Sequence, residues 1–369
     1  MRYLLLLSLI AVFAIPGRSS AATAFEVAGW IPYWRAATGT TDVLPNIRRL
    51  TAVMPFGYIV QNDGTLHDAF SLSATSSTST ASVLRASARA NKTRFIPTVM
   101  WSNGAAIERI LSNGESRRAL EDAIAALATE NDFDGIDINF ENKTAETKPY
   151  FSLFLKGLYQ RMGKKWVYCS IEARTPPSSA FAVIPPTLEY ANDFVAINKY
   201  CDRVAIMTYD QGTIDLKLNS SASSTPYIPL SDPKWVEKVI NLTSKSIAKS
   251  KLLIGVPTYG YEYELVPLAQ GYRYNIQWAF NPRYATELAT ELGLTPVRNR
   301  AGEMSFVYQP TTTPAAATTT ELRIAWWSDA KAIGDKIALA KKLGVRGIAI
   351  FKLDAGQDPA LWNILPKRK

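Results

Sequence analysis

The chain has 369 residues, of which 47% are hydrophobic and 20% are charged, an ordinary globular balance for one large domain or two smaller ones. Its single histidine, His67, excludes an HExxH zinc site and any multi-histidine metal centre, and we expect neither a metal nor a cofactor. Two cysteines, Cys169 and Cys201, are too few for a disulfide scaffold; they could form one bridge or stay as buried thiols.

Residues 1–21 have the pattern of a secretory signal peptide. Arg2 gives a positive start, residues 3–15 are apolar, and small residues at 19–24 offer cleavage sites. An uncleaved membrane anchor is the alternative, but this apolar run is shorter than the about 20 residues that span a bilayer. We therefore predict cleavage, a secreted or cell-envelope location, and no stable membrane insertion afterwards.

The mature chain is basic. Loss of Arg2 and Arg18 with the leader lowers the formal net charge from +9 to +7. A basic exported protein suits polyanionic surroundings such as a bacterial wall, although charge that serves solubility alone is an equal alternative. No basic run is interleaved with aromatic residues, so we expect no nucleic-acid partner, and we expect residues 25–369 to act as a monomer.

From residue 25, short apolar segments alternate with amphipathic helices, as in parallel α/β proteins. Strands are predicted at 27–34, 50–60, 94–102, 133–141, 165–174, 202–210, 251–263 and 345–354, with helices including 116–129, 145–162, one that opens at Pro233, and 329–343. Eight such strands predict a (β/α)8 barrel. A doubly wound open sheet is the alternative, which the lack of a glycine-rich phosphate loop after the first strand disfavours.

Residues 264–326 separate the seventh and eighth predicted strands, far longer than a usual connection in this fold. A short helix at 282–292 precedes two apolar runs, residues 304–310 and 321–327, that could pair as a hairpin around a Thr/Pro/Ala-rich tip. We predict a small α+β insertion here. A loop excursion without a role in binding is the alternative.

The fourth predicted strand, FDGIDINFE, carries the chemistry. With period-two alternation, Asp137, Asn139 and Glu141 share one face. Burying unpaired carboxylates is costly, and barrel enzymes keep catalytic groups at the carboxyl ends of their strands. These residues therefore favour an active site over a solvated edge strand.

This stretch resembles the D-G-x-D-x-D-x-E signature of glycoside hydrolase family 18, the chitinase-like enzymes, with Asn139 in place of the third Asp. Residues 207–210 are similar to the family's M-x-Y-D/N, and residues 255–260 to its G-x-P-x-Y-G. The insertion and the WWSDAK segment at 326–331 look most like the bacterial wall- and spore-associated branch. Residues 101–104 depart from the usual S-x-G-G, and Phe351 stands where a Trp usually floors the sugar site.

The resemblance implies retaining hydrolysis of β-linked N-acetylhexosamine glycans, such as peptidoglycan or chitin oligomers, with the substrate's acetamido oxygen as nucleophile. Glu141 would be the general acid, and position 139 would orient the acetamido group. Tyr209 would donate to the acetamido oxygen, and Asp210 would contact the sugar. Asp137 would support residue 139 and help keep the pKa of Glu141 high. Asn139 removes a negative charge beside a cationic intermediate, so reduced activity is expected.

Further substrate-binding candidates lie at strand ends and in the matched motifs. They are Tyr33, Trp34, Trp101, Glu172, Tyr259 and Phe351. Trp30 and Trp278 are weaker candidates for stacking on sugars, because aromatic residues in apolar strands are more often core. Glu172 and Arg174 either line the cleft or pair with each other.

Two other functions compete with a glycosidase. The first is a carbohydrate-binding protein on the same barrel, disabled by Asn139; the retained Glu141 and Tyr209 argue against it. The second is a metal-dependent enzyme that uses Asp134, Asp137 and Glu141 as oxygen ligands. It is disfavoured because Asp134 lies on the opposite face of a regular strand from Asp137.

Overall fold

The structure, a computed structural model, describes residues 24–222, 225–310 and 321–367. Eight parallel strands pair side by side, and the first pairs with both the second and the last, which closes a barrel. The barrel strands are Glu26–Pro32, Ala52–Val60, Thr98–Trp101, Gly135–Phe140, Trp166–Glu172, Arg203–Met207, Leu252–Pro257 and Gly347–Phe351. The predicted (β/α)8 barrel is confirmed.

Helices connect the barrel strands, and one more helix follows the eighth strand. They are Ala36–Val43, Thr80–Ala90, Gly104–Ser112, Gly114–Glu130, Lys148–Met162, Pro177–Ala180, Phe194–Tyr200, Leu216–Ser220, Pro233–Thr243, Ala330–Leu343 and Leu361–Ile364. Local sequence sets their ends. The Asp232 side chain accepts from the Lys234 N–H before the helix that Pro233 opens, and Gly344 ends a later helix in the left-handed conformation.

Two short strands flank the second barrel strand. Leu66–Asp68 pairs with it antiparallel, and Arg94–Phe95 pairs with it parallel. The predicted third strand, 94–102, is therefore two pieces, Arg94–Phe95 and Thr98–Trp101, with residues 96–97 between them. Proline at position 97 has no N–H for a continuous ladder, which accounts for the interruption.

The fourth barrel strand shows how alternation builds the two layers. Ile136, Ile138 and Phe140 pack outward in the main core, where Phe140 stacks on Phe154 at 5.2 Å between ring centroids. Asp137 and Asn139 face the barrel interior. Alanines from four strands also line this interior, leaving room for Trp30.

The predicted seventh strand, 251–263, is two strands. Leu252–Pro257 belongs to the barrel, whereas Gly260–Pro267 belongs to a separate antiparallel sheet, so the insertion begins at Gly260 and not at residue 264. A Cβ on residue 260 would lie 2.4 Å from Trp327 Cβ, so the close approach of these two neighbouring strands requires glycine at this position.

The insertion is a five-stranded antiparallel sheet with one helix. Its strands, in chain order, are Gly260–Pro267, Tyr272–Phe280, Val297–Arg298, Met304–Tyr308 and Arg323–Trp327, and its helix is Pro282–Glu291. Met304–Tyr308 and Arg323–Trp327 pair antiparallel, as predicted. The predicted hairpin tip, residues 311–320, lies outside the described residues.

Glu303 fastens the insertion to the barrel. It is fully buried and accepts from the Leu230 backbone N–H at 2.9 Å and from the Trp326 indole at 2.7 Å. Lys336 Nζ, also buried, lies 3.5 Å from Glu303 Oε1. Because a buried carboxylate needs such partners, this contact fixes the insertion beside the loop that follows the sixth barrel strand.

Cys169, in the fifth barrel strand, forms a disulfide with Cys201, which directly follows the helix Phe194–Tyr200, and both are fully buried. The sequence left open whether these cysteines form a bridge or stay as buried thiols, and in the structure they form a bridge. Within the ranges that the structure covers, no helix is both long and apolar enough to cross a membrane. The predicted signal peptide, residues 1–21, lies outside these ranges.

Candidate active site

Asn139 and Glu141 meet at the carboxyl end of the fourth barrel strand. Asn139 Nδ2 donates to Glu141 Oε1 at 2.9 Å. Both side chains line a cavity of about 350 Å³ in the barrel mouth. Asn139 is 5% exposed, and its Oδ1 is buried without a hydrogen-bond partner among the described residues. A buried carbonyl oxygen of this kind is an acceptor without a donor.

Asp137 lies deeper in the barrel and is fully buried. Its carboxylate accepts from Ser170 Oγ at 2.8 Å, from Thr98 Oγ1 at 2.8 Å and from Trp30 Nε1 at 3.1 Å. Burial raises the pKa of Asp137 to about 6, although the three hydrogen bonds lower it. The expected support of residue 139 by Asp137 is not found among these contacts, because three other donors occupy its carboxylate.

Several neighbours set the protonation of Glu141. Burial raises the pKa of Glu141 above its usual range, the Asn139 hydrogen bond and Lys143 lower it, and the negative charges of Glu172 and Asp210 raise it. The like charges beside Glu141 are therefore Glu172 and Asp210, where the sequence pointed to Asp137. A carboxyl group with a raised pKa is suited to donate a proton near neutral pH.

Tyr209 and Asp210 follow the sixth barrel strand and face the same cavity. The Tyr209 ring stacks on Phe351 at 5.7 Å between centroids with an interplanar angle of 16°. Asp210 has a left-handed backbone (φ +54°), which Asp tolerates better than most residues. Its Oδ1 accepts from Tyr259 Oη at 2.6 Å and from Tyr261 Oη at 3.1 Å. Burial raises the pKa of Asp210, against these two hydrogen bonds.

Phe351 joins this cavity to a second one of about 720 Å³ between the barrel and the insertion, since it lines both. Trp34 (50% exposed) and Trp278 (45% exposed) lie on the two sides of the second cavity. Trp278 packs edge-on against Tyr284 of the insertion helix. Together the two cavities form one cleft, with aromatic walls at one end and Glu141 at the other.

The structure corrects two aromatic candidates. Trp101 is 2% exposed, packs edge-on against Phe140 and lines neither cavity, so it is core and not a sugar platform. Tyr33 is half-buried against the core and contacts Trp34 without lining either cavity. Trp30 lies at the floor of the first cavity, 2% exposed.

Glu172 and Arg174 do not pair with each other. Glu172 lines the first cavity, whereas the Arg174 guanidinium lies between Tyr190 and Phe194, at 3.7 and 4.0 Å from their ring centroids. Asp134 turns away from the cavity, because its carboxylate accepts from the Phe95 backbone N–H at 2.7 Å. Asp134, Asp137 and Glu141 therefore do not converge, which contradicts the metal-dependent alternative.

Sequence reasoning missed two charged or polar groups of the site. Lys143 lies two residues after Glu141 with a buried side chain, and Tyr261 shares Asp210 with Tyr259. Lys143 could have been noticed as a cation beside the catalytic strand. Tyr261 follows the G-x-P-x-Y-G motif, where only its spacing of two residues from Tyr259 gave a signal.

The closed (β/α)8 barrel places a buried amide and an acid of raised pKa at the carboxyl end of one strand, an arrangement compatible with a glycoside hydrolase. Residues 30–356 match the family model "Glycosyl hydrolases family 18", and the chain belongs to this family. The predicted family and enzyme class are confirmed.

The comparisons agree on the fold. The chain is 23% identical over 267 residues to "Uncharacterized glycosylase YvbX" of Bacillus subtilis, covering 72% of this chain and 70% of that protein. The crystal structure of the Bacillus megaterium spore cortex-lytic enzyme SleL superposes with a TM-score of 0.72 at 22% identity, covering 94% of this chain and 75% of the other. A chitinase from Chromobacterium violaceum gives a TM-score of 0.70 at 16% identity, with coverage of 93% and 98%.

Proposed function

We propose that the mature chain hydrolyses β-linked N-acetylglucosamine glycans of the peptidoglycan or chitin type, with retention and with the substrate's acetamido oxygen as nucleophile. The observation that carries this proposal is the buried Oδ1 of Asn139 beside Glu141, which has no hydrogen-bond partner among the described residues. The acetamido N–H of the substrate would supply the donor that this oxygen lacks.

In the first step, Glu141 protonates the glycosidic oxygen as the bond to the anomeric carbon breaks. Because Oε1 accepts from the Asn139 N–H, we assign the proton to Oε2. The acetamido oxygen attacks the anomeric carbon, and the leaving sugar departs as an alcohol with the proton from Glu141. The product on the enzyme is an oxazolinium ion.

In the second step, Glu141 takes a proton from water while the water oxygen attacks the anomeric carbon. The oxazolinium ring opens, which restores the acetamide and retains the configuration. Tyr209 would donate from its hydroxyl to the acetamido oxygen, and burial holds the pKa of that hydroxyl well above its usual value, so it stays a donor. Asp210, fixed by Tyr259 and Tyr261, offers Oδ2 to a sugar hydroxyl.

Asn139 favours a second candidate, a carbohydrate-binding protein on a disabled barrel. The amide orients the acetamido group but supplies no negative charge for the oxazolinium ion, a loss worth roughly 10²–10³ in rate. We favour the enzyme, because Glu141 keeps a raised pKa and because a binding protein needs neither this pKa nor Tyr209.

Three features support a wall glycan acted on outside the cytoplasm. The chain carries a predicted signal peptide, and without it the formal net charge is still +7. One structural relative is named a spore cortex-lytic enzyme. We propose export, cleavage of residues 1–21 and action as a monomer; the mass of the secreted chain and its sedimentation in solution test these points.

The deciding experiment measures turnover of a chromogenic N-acetylglucosamine oligomer by the mature protein and by Glu141→Gln, with and without a thiazoline inhibitor. We expect thiazoline-sensitive turnover that Glu141→Gln abolishes while glycan binding persists. Glu130→Gln, at an exposed helix end, is the matched control. Binding without turnover in the native protein would establish the second candidate, and full turnover by Glu141→Gln would refute the acid assignment.

A further inference from the structure

Lys143 places a buried cation beside the acid. Its side chain is 0% exposed, Nζ donates to the Phe140 carbonyl, and Nζ lies 4.7 Å from the centre of the Phe151 ring. Nζ is also 3.7 Å from Glu172 Oε2. Because a buried ammonium is costly unless it is paired, Lys143 requires a nearby carboxylate. The fold supplies one from the next barrel strand.

Glu172 is held rigidly at the end of the fifth barrel strand, on the wall of the cavity that contains Glu141. Its Oε1 accepts from the backbone N–H of Asn142, the residue directly after Glu141, at 3.1 Å. Its Oε2 accepts from Asn192 Nδ2 at 2.8 Å. Asn142 has a left-handed backbone (φ +58°), and in that conformation its N–H reaches Glu172. The two acids are therefore linked through one peptide group.

We propose that Glu172, held by Lys143, is the positioning residue that keeps the proton on Glu141 in a site whose residue 139 is an amide. A fixed negative charge beside Glu141 disfavours the ionised acid, which is the effect that a carboxylate at 139 would otherwise exert. Lys143 limits this effect, because its charge favours the ionised form. This inference rests on the proposed function of Glu141 as general acid.

Among the other groups that face Glu141, Asp210 is the one whose charge also disfavours the ionised acid, with a smaller effect than that of Glu172. From its own strand comes Asn139, which is neutral, and from the sixth strand come Tyr209 and Asp210. Tyr209 is neutral, since its pKa is raised well above the usual value. The Asp210 carboxylate, whose pKa burial raises, accepts from two tyrosine hydroxyls. Removing the charge of Glu172 and removing the charge of Lys143 should therefore shift the pKa of Glu141 in opposite directions.

The test compares Glu172→Gln, Lys143→Met and the double variant. Gln retains an oxygen for the Asn142 N–H, and its Nε2 can donate to Asn192 Oδ1 once the Asn192 amide turns, since Asn192 Nδ2 now donates to Glu172 Oε2. Met retains the packing on Phe151. Glu172→Gln should move the basic limb of the kcat/KM profile down by about one pH unit, and Lys143→Met should move it up by a smaller amount, because Glu172 has the larger effect on Glu141. The double variant should lie between the two single variants and below the native profile.

A second readout does not depend on turnover. The Glu141 carboxyl is titrated by carbon NMR, with its resonance assigned by its loss in Glu141→Gln, and it should shift in the same directions. Native protein without turnover but with these titration shifts would refute the proposed function and leave this inference intact. If Lys143→Met does not fold, the downward shift expected for Glu172→Gln is by itself the test of the inference.

The control pair is Glu237 and Lys342, joined at 2.9 Å on two outer helices. Glu237→Gln and Lys342→Met make the same charge changes away from the cavity. They should change neither the kcat/KM pH profile nor the titration of Glu141. Shifts of less than about 0.2 pH units in Glu172→Gln, or shifts in the same direction in both single variants, would overturn the inference.

Discussion

Asn139 donates a hydrogen bond to Glu141, a direction that an aspartate at 139 could not provide without a proton of its own. The amide N–H can serve Glu141 whether the acid is charged or neutral, and its carbonyl oxygen is left for the substrate. In the mechanism that we propose, Asn139 would keep the orienting function of residue 139 and lack only its charge.

Asn139→Asp tests the cost of that missing charge. We expect turnover to rise by roughly 10–10³-fold, because a carboxylate beside the oxazolinium ion stabilises positive charge. The basic limb of the pH profile should also move upward, since a second like charge raises the pKa of Glu141. Steady-state kinetics across pH provide the measurement.

The matched control is Asn241→Asp, on the outer surface of the helix that Pro233 opens. It makes the same chemical change outside the cavity and should leave kcat unchanged. A fall in kcat for Asn139→Asp, or no change, would mean that the active site is built around the amide.

Tyr209→Phe removes one hydroxyl and keeps the ring that stacks on Phe351. If the hydroxyl donates to the acetamido oxygen as charge develops, kcat should fall by about 10²-fold with little change in KM. Tyr159→Phe, on an outer helix, is the control and should show wild-type kcat. A loss of less than about threefold would remove Tyr209 from the reacting centre.

Much of the fold followed from the sequence because strand and helix periods are local properties. The acidic strand alternated as predicted, with Ile138 in the outer core and Asn139 inside the barrel. The end of the seventh strand was missed, because residues 251–263 read as one apolar run although the chain leaves the barrel near Tyr259. The strand break depends on the close approach of Gly260 to Trp327, which is a tertiary contact.

The sequence predicted which residues would share one cavity better than it predicted their contacts. Glu141, Asn139, Tyr209 and Asp210 meet in one cavity, as the motifs indicated. Trp101 was wrongly favoured for sugar stacking, because its place at a strand end does not determine whether its ring points to the cavity or to the core. Glu172 and Lys143 come from different parts of the chain, so the sequence does not show that they pair with each other.

Trp34 and Trp278 should contribute to the binding of long oligomers. Both are about half exposed in the second cavity, away from Glu141. Replacing either with Ala should raise KM for a long oligomer by about tenfold, through loss of ring stacking, and leave a short chromogenic substrate unaffected. The buried Trp101→Phe is the control and should lower thermal stability without changing KM. Equal effects on short and long substrates would contradict this assignment.

Asp137 should make folding stability depend on pH. Its folded pKa is about 6 against an ordinary 3.8, so between these values the folded state binds more protons than the unfolded state. The stabilisation is present below the unfolded pKa and is lost as pH rises through 6, by roughly 3 kcal/mol in total. Ionisation is resisted because the group is fully buried, even with three donors around it.

Asp137→Asn removes this titration. In this variant, Asn Oδ1 can accept from Trp30 Nε1, which can only donate. The hydroxyls of Thr98 and Ser170 can both donate and accept, so they can rotate to accept from Nδ2. Urea unfolding from pH 4 to 7 should therefore show the variant gaining about 3 kcal/mol relative to the native protein as pH rises. Asp132→Asn, whose exposed side chain pairs with Arg89 on the surface, should show no such gain. A stability difference that stays constant with pH would mean that Asp137 is already charged at low pH in the folded protein.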